Sequence, residues 1–181
     1  IYEDLAVKPA IFDEIKPAAI KLQLNSLLRH LKPRQPNSHK NLYGHVLVIG
    51  GDYGYAGASL LAAEAALRTG AGLVSVATHQ EHISTIVARR PEIMAHAVDS
   101  KEALQALLKK ASTLIIGPGL GQSNWSKEML DCTLKADLPS ILDADALNLI
   151  AHEQIQLNAM SHPYILTPHP KEAARLLNVE T

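Results

Sequence analysis

The sequence is short of the residues that mark several common protein classes. One cysteine, Cys132, is present among the 181 residues, so no internal disulfide can form, and a reducing compartment such as the cytoplasm is indicated. The 17 lysines and arginines nearly balance the 18 aspartates and glutamates, and the net charge of −1 offers no electrostatic footprint for nucleic acid or an anionic membrane. No apolar run of about 18 residues occurs, and the first residues lack the pattern of a signal peptide.

The common glycine signatures of nucleotide-binding proteins are also missing. Neither the G-x-G-x-x-G fingerprint nor the G-x-x-x-x-G-K-[ST] phosphate loop occurs. The sequence does contain 47% hydrophobic residues, which supports a packed domain rather than a disordered segment. We therefore expect one main domain with an appendage.

Residues 1 to about 40 form the appendage. Four prolines interrupt this segment, and residues Ala19 to Leu31 have the period of an amphipathic helix. From His45 onwards, short β-branched runs alternate with segments of helical period, which is typical of parallel strands joined by right-handed crossovers. The pattern predicts an α/β fold with strands at 45–50, 73–77, 93–97, 113–116, 140–142 and 163–166, and helices at 57–69, 80–89, 101–110, 124–136, 145–151 and 170–177.

Four of the predicted strands end in compact turns rich in glycine or polar residues. In open α/β sheets, ligands bind beyond the carboxyl ends of parallel strands, so these turns are positioned to meet one ligand. We therefore expect a single binding site at this edge. The turns are 50–57, 117–121, 143–148 and 167–170.

The two glycine-rich turns indicate a ligand to different degrees. The first, with Gly51, Gly54 and Gly57, is as typical of a tight strand-to-helix turn as of a binding loop. The second, Gly117-Pro118-Gly119-Leu120-Gly121, is harder to explain as a turn alone. We expect a side chain at Gly119 to occupy space that a ligand needs, so that Gly119→Val would weaken binding with little effect on folding.

Two aspartates and an asparagine follow the fifth predicted strand. In an extended segment, the spacing of Asp143 and Asp145 sends both carboxylates to the same side, where they would suit a Mg²⁺ relay or hydrogen bonds to a ribose. The alternative is that Asp145 caps the next helix. Asn148 is placed to turn its amide back to the same crevice.

His169 is the histidine with the most constrained setting in the sequence. It lies between Pro168 and Pro170, which restrict the backbone and therefore the direction of the imidazole. We expect His169 and Gly119 to face one pocket.

Taken together with Ser38-His39-Lys40, these turns closely resemble the ADP/ATP-dependent NAD(P)H-hydrate dehydratase family, which also forms the C-terminal domain of bifunctional NAD(P)H-hydrate repair enzymes. Asn41 and Lys171 depart from the resemblance, because the family usually has glycine there. The resemblance implies a three-layer ribokinase-like α/β fold with a mostly parallel central sheet, incomplete at the C-terminus. Residues 1–40 would be an arm or linker, and residues 41–181 the N-terminal part of the dehydratase domain. In many bacterial members an epimerase domain precedes the dehydratase domain, and in such a protein residues 1 to about 25 would be the tail of the epimerase domain.

The resemblance also implies a function and a set of site residues. The family dehydrates NADHX and NADPHX, using ADP or ATP with Mg²⁺. Its catalytic aspartate lies in a late G-x-G-D turn that this sequence lacks. No catalytic residue is therefore assigned, and the isolated chain is expected to be inactive. The resemblance assigns Ala58, Gly119 and His169 to the hydrated cofactor. We expect the pocket to be lined by Lys40, Gly54, Gly57, Gly117, Gly121, Asp143, Asp145 and Asn148.

Two other functions remain open at the level of the sequence. One is a ribokinase-like small-molecule kinase, and the other is a non-catalytic nucleotide-binding fragment. A parallel sheet that is only half built leaves an unpaired edge strand and an apolar face. We therefore expect the chain to associate with itself or with a complementary C-terminal half, and not with nucleic acid or a membrane.

Overall fold

The computed structural model describes residues 33–157 and 161–180, together with residue 10 and residues 23–28. The chain divides into two units, Ile1–Ser38 and His39–Thr181. In the first unit, helix α1 is Leu24–Leu28, and its leucines are exposed. Most of the rest of the helix expected between Ala19 and Leu31 lies outside the described residues.

The second unit is built on one six-stranded sheet in which every neighbouring pair is parallel. The strands lie in the order β3-β2-β1-β4-β5-β6, with Val46 of β1 opposite Val74 of β2 and Thr113 of β4. The predicted α/β class is therefore confirmed. The strands are β1 His45–Ile49, β2 Leu73–Thr78, β3 Met94–Ala97, β4 Thr113–Ile116, β5 Ser140–Leu142 and β6 Tyr164–Leu166.

Helices connect successive strands, close to the predicted positions. The predicted helix 80–89 is divided, because a 3₁₀ turn at Gln80–His82 precedes the α-helix. A second 3₁₀ turn, Lys40–Tyr43, leads into β1. The helices are α2 Ala56–Thr69, α3 Ile83–Arg89, α4 Lys101–Leu108, α5 Asn124–Leu134, α6 Ala144–His152 and α7 Pro170–Leu177.

The alternation of side chains along each strand divides the core into two clusters. Leu114 and Ile116 of β4 point to one face, where they are fully buried with residues of α4, α5 and α6. Val48 and Val76 point to the other face and pack with α2 and α3. Helices thus lie on both faces of the sheet, which gives three layers.

The second face is covered unevenly. Ile115 is only partly buried against the α2 and α3 cluster, and Ile165 on the edge strand β6 is 61% exposed. Among the described residues, the β4–β6 half of this face therefore presents apolar side chains to solvent.

Candidate functional site

The strand order places a crevice between β1 and β4. From β1 the chain proceeds outward through β2 and β3, and from β4 it proceeds the other way through β5 and β6. Loops on either side of such a reversal diverge, which opens a ligand crevice at the carboxyl ends of the two central strands. The two glycine-rich turns follow β1 and β4, so both lie at this point of the sheet.

Backbone hydrogen bonds join these two turns directly. The amide of Gly51 donates to the carbonyl of Pro118 at 3.1 Å, and the amide of Asp52 donates to the carbonyl of Gly119 at 2.6 Å. A Cβ on Gly50 would overlap the Pro118 carbonyl, so a side chain there would push the turns apart. The two turns are therefore held against each other by backbone contacts.

Gly119 and Ala58 are brought together, as the resemblance implied for two substrate-binding residues. A Cβ built on Gly119 would lie 3.0 Å from the Cβ of Ala58 and 2.6 Å from the carbonyl oxygen of Tyr55, and the φ of Gly119 is +59°. The expectation that Gly119→Val spares folding is therefore wrong, because the new side chain would first meet the backbone of the protein's own loop.

The other glycines of the predicted site divide into two kinds. A Cβ on Gly117 would overlap the carbonyl of Asp143, and one on Gly121 would approach the Asp52 carboxylate at 2.6 Å, so both are needed for close packing of loops. Gly54 and Gly57 have no heavy atom within 4 Å of a built Cβ. These two lie at the exposed rim, and Gly57 is inside the first turn of α2.

The structure corrects both interpretations of the aspartate pair. The segment is not extended, because α6 begins at Ala144, and Asp143 is its N-cap residue with no side-chain cap hydrogen bond. Asp143 Oδ1 accepts a hydrogen bond from the Thr167 hydroxyl at 2.6 Å. Asp145 does not cap the helix either: its Oδ2 accepts from the amide of Gly121 at 3.0 Å. The two carboxylates therefore serve different neighbours.

Asp145 begins a polar chain that links the second glycine turn to α7. Asn148 donates its amide toward Asp145 Oδ1 at 3.5 Å, and its own Oδ1 accepts from Arg175 at 2.7 Å. Asn148 therefore links Asp145 to Arg175, and its place in a ligand pocket stays a prediction. A polar groove of about 540 Å³ opens beside Arg175 and is lined also by Gln122.

His169 lies at the same carboxyl edge of the sheet, after β6. Its Nδ1 accepts from the amides of Lys171 and Glu172 at 3.2 and 3.4 Å, while Glu172 Oε2 accepts from the His169 amide at 3.0 Å. These bonds form a capping box at the start of α7. The side chain of His169 is 57% exposed, so it caps the helix and still presents its ring to the surface.

Lys40 is not part of this cluster. It begins the 3₁₀ turn before β1, and its carbonyl lies against Gly72, the residue before β2. Lys40 is therefore at the amino edge of the sheet, separated from the glycine turns by the length of β1, and the expectation that it lines the pocket is wrong. Lys40 precedes β1 and the glycine turn follows β1, so the two lie at opposite ends of the strand although they are close in sequence.

A cluster of polar and aromatic side chains after β1 and β2 was missed from the sequence. His79 Nε2 donates to Asp52 Oδ1 at 2.9 Å, and the two side chains are only 10% and 15% exposed. The ring of His79 lies between Tyr53, stacked at 4.2 Å, and Trp125 at 4.3 Å, and His82 meets it edge-on. His79, more than His169, has the constrained setting. The available signal was that Asp52 and His79 each follow a strand at its carboxyl end.

The pKa of Asp52 lies below its ordinary value. Burial of the carboxyl group works against ionisation, but hydrogen bonds from the Tyr53 amide, His79 and Ser123, with the nearby charge of His79, outweigh it. A carboxyl group whose pKa is lowered by folding stabilises the folded state above the pKa of an unfolded aspartate. That stabilisation is lost as the pH falls through the lowered value.

We accordingly expect Asp52→Asn to flatten the acid side of the stability profile. The free energy of unfolding of the parent chain should fall more steeply with acidification below about pH 4 than that of the variant. Urea denaturation at a series of pH values measures both slopes. Parallel profiles for the two proteins would show that Asp52 does not couple protonation to folding.

The described residues do not assemble a metal site by themselves. No group of three or more histidine, cysteine, aspartate or glutamate side chains among them could hold an ion. Asp143 and Asp145 already accept hydrogen bonds from Thr167 and Gly121. None of the helices in this part of the chain has the length and apolar character needed to span a bilayer.

Comparison with known proteins identifies the family. Residues 46–181 match the family described as NAD(P)H-hydrate dehydratase. The chain is 46% identical over 179 residues to the bifunctional NAD(P)H-hydrate repair enzyme Nnr of Coxiella burnetii, covering 99% of the chain and 36% of that protein. It is 40% identical over 149 residues to the ADP-dependent (S)-NAD(P)H-hydrate dehydratase of Streptococcus thermophilus, covering 81% and 53%. The chain thus spans about a third to a half of the length of these relatives.

A solved structure agrees with the sequence relatives. The ADP/ATP-dependent NAD(P)H-hydrate dehydratase of Bacillus subtilis, co-crystallised with ATP and Mg²⁺, superposes with a TM-score of 0.67 at 32% identity, covering 81% of this chain and 51% of that one. The ribokinase-like fold is therefore confirmed, as a six-stranded sheet that is parallel throughout rather than mostly parallel. With the family match over three quarters of its length and the glycine turns joined at the switch point, the chain belongs to the NAD(P)H-hydrate dehydratase family.

Proposed function

We propose that this chain takes part in the repair of hydrated nicotinamide cofactors by ADP- or ATP-dependent dehydration. The terminal phosphoryl group of the nucleotide is transferred to the hydroxyl oxygen of (S)-NADHX or (S)-NADPHX. Phosphate then leaves with that oxygen, a proton is lost from the neighbouring ring carbon, and the double bond of NADH or NADPH is restored. This chain contributes the side of the site that holds the hydrated cofactor.

The observation that carries the proposal is the pair of joined glycine turns beside Ala58. Gly119 and Ala58 lie against each other at the strand-order reversal, the place in the sheet where a ligand approaches the backbone of the loops. The 14-residue helix α2 begins at this point, and the first turn of a helix has amides without partners inside the helix. A phosphate-bearing ligand suits such amides.

The edge of the crevice would orient the ligand through polar groups. The chain of hydrogen bonds through Asp145, Asn148 and Arg175 fixes the second glycine turn and leaves Arg175 beside a polar groove. An arginine there suits a phosphate group of the cofactor. His169, held by its capping box, is the remaining proposed binding residue.

The proposal also includes a nucleotide and Mg²⁺. Homologues that use ADP or ATP support a nucleotide. Since the described residues hold no three-ligand cluster, we place Mg²⁺ with the phosphates of the nucleotide and assign no step to it through Asp143 or Asp145. The catalytic base proposed for the whole protein is an aspartate of a G-x-G-D turn, which is not in this sequence.

Calorimetric titration tests the binding side of this function. We expect the chain to bind hydrated NADPH saturably and more tightly than NADPH itself, because only the hydrate carries the hydroxyl group to be phosphorylated. Asp131 lies on α5, far from the turns, and is paired with Lys135. Asp131→Ala should therefore bind hydrated NADPH as the parent does. Binding of hydroxymethylpyrimidine without binding of hydrated NADPH would favour the small-molecule kinase instead.

We further propose that the exposed sheet face makes the isolated chain associate. Ile115 and Ile165 present apolar surface on the β4–β6 half, and β6 is an edge strand with unpaired backbone groups. A copy of the chain or a complementary C-terminal half would cover both.

Light scattering should accordingly show dimers or larger species at high concentration, and Ile165→Asp should shift the chain toward monomer. Val87→Asp, at an exposed position on α3, should not change the association. A parent chain that stays monomeric at high concentration and melts cooperatively would contradict the proposal.

A further inference from the structure

Three aromatic rings form a partly tilted stack, because Trp125 meets His79 at an interplanar angle of 39°. Trp125 lies against His79 with ring centroids 4.3 Å apart, and His79 lies against Tyr53 at 4.2 Å with an interplanar angle of 13°. Tyr53 forms the outer end of this stack and is 61% exposed. Its inner face is covered by His79, so the exposed area includes the opposite face of the ring.

The inner rings are locked in place. The indole Nε1 of Trp125 donates to the carbonyl of Val98 at 2.7 Å, and His79 donates to Asp52 at 2.9 Å. Asp52 Oδ1 also accepts from the amide of Tyr53 at 2.8 Å. The Tyr53 ring is therefore held by its contact with His79 and by the hydrogen bond from its own backbone amide to Asp52.

The stack is tied to the proposed binding site through the same residue. The amide of Asp52 donates to the carbonyl of Gly119, one of the proposed cofactor-binding residues. Tyr53 is thus one residue from the contact between the two glycine turns. An exposed aromatic ring held at the mouth of a ligand crevice offers a flat surface on which a planar heteroaromatic ring can stack.

We propose that Tyr53 is the stacking platform for the adenine ring of a ligand in this crevice, which deepens the proposed function and rests on it. Adenine fits better than the hydrated nicotinamide ring, because hydration removes a ring double bond and the ring is no longer flat. The adenine belongs to the hydrated dinucleotide or to the nucleoside diphosphate, since both carry the same base. Stacking on an aromatic side chain uses the π-face of the base, which is the same in both ligands.

Two substitutions of Tyr53 separate stacking from other effects. Tyr53→Phe keeps the aromatic ring. Tyr53→Leu removes the ring but keeps an apolar side chain. Tyr164→Leu, at the partly exposed tyrosine of β6, is the matched control. Trp125 is the sole tryptophan of the sequence, so its fluorescence reports on the stack during titration.

The titrants are hydrated NADPH, ADP and the hydrated form of reduced nicotinamide mononucleotide, which has no adenine. We expect Tyr53→Leu to raise the dissociation constant of the adenine-bearing titrant about tenfold, with Tyr53→Phe and Tyr164→Leu within about twofold of the parent. The mononucleotide should bind parent and Tyr53→Leu equally. Whichever of hydrated NADPH and ADP loses affinity identifies the source of the adenine.

The outcomes separate this inference from the proposed function. If the parent binds hydrated NADPH and Tyr53→Leu binds both adenine titrants equally well, the platform is refuted and the proposed function stands. Equal loss of mononucleotide affinity in Tyr53→Leu would also refute it, because the loop rather than the stack would be affected. If only ADP binds and Tyr53→Leu weakens it, the platform stands and this chain's role in holding the hydrated cofactor fails. A parent that binds neither adenine titrant overturns both.

Discussion

Gly117→Ala should lower the free energy of unfolding by about 3 kcal/mol. The φ of Gly117 is +124°, which L side chains rarely adopt, and the added Cβ would overlap the backbone carbonyl of Asp143. Neither group can move without separating the turn after β4 from the start of α6. Urea denaturation of the two proteins measures the difference.

The matched control is Gly57→Ala. Gly57 lies inside α2 and has no heavy atom within 4 Å of a built Cβ, so alanine should stabilise the chain by about 0.5 to 1 kcal/mol through helix propensity. The same chemical change is thus expected to have opposite signs at two glycines of the predicted site. A stabilising or neutral Gly117→Ala would show that the turns are not packed as closely as the structure has them.

The second large effect is the absence of turnover. We expect the 181-residue chain, given hydrated NADPH with ADP or ATP, to restore NADPH at least about a thousandfold more slowly than the Streptococcus thermophilus dehydratase under the same conditions. The sequence has no G-x-G-D turn, and a positioned general base contributes about 10²- to 10⁴-fold to a rate. Absorbance of NADPH at 340 nm follows the reaction, and turnover near the rate of the relative would contradict the expectation.

Most of the fold could be predicted from the sequence, as could the edge of the sheet at which the glycine turns lie. The β-branched runs that end in glycine or polar turns predicted the strands, and the parallel rule placed their carboxyl ends at one edge. The resemblance named Gly119 and Ala58 as binding residues, and the structure places them side by side, while their role in binding stays a prediction. These features are local in sequence or follow from the alternation of strands and helices.

The details that could not be predicted depend on the order of the strands. Asp145 bonds the amide of Gly121 because β5 is next to β4, and Asp52 meets His79 because β1 is next to β2. The periodicity of the sequence predicts strands without ordering them. Lys40 was misplaced for a related reason, because a motif just before a strand lies at the edge opposite to the turn that follows it.

The resonances of backbone amides during titration with hydrated NADPH test the central claim most directly. If the joined glycine turns hold the hydrated cofactor, saturable shifts should be concentrated at Ala58, Gly119 and Gly121. They should be absent from the groove between α4 and α5 that is lined by Lys109 and Cys132 at the amino edge of the sheet. Shifts confined to that groove, or no saturable shifts at all, would contradict the account.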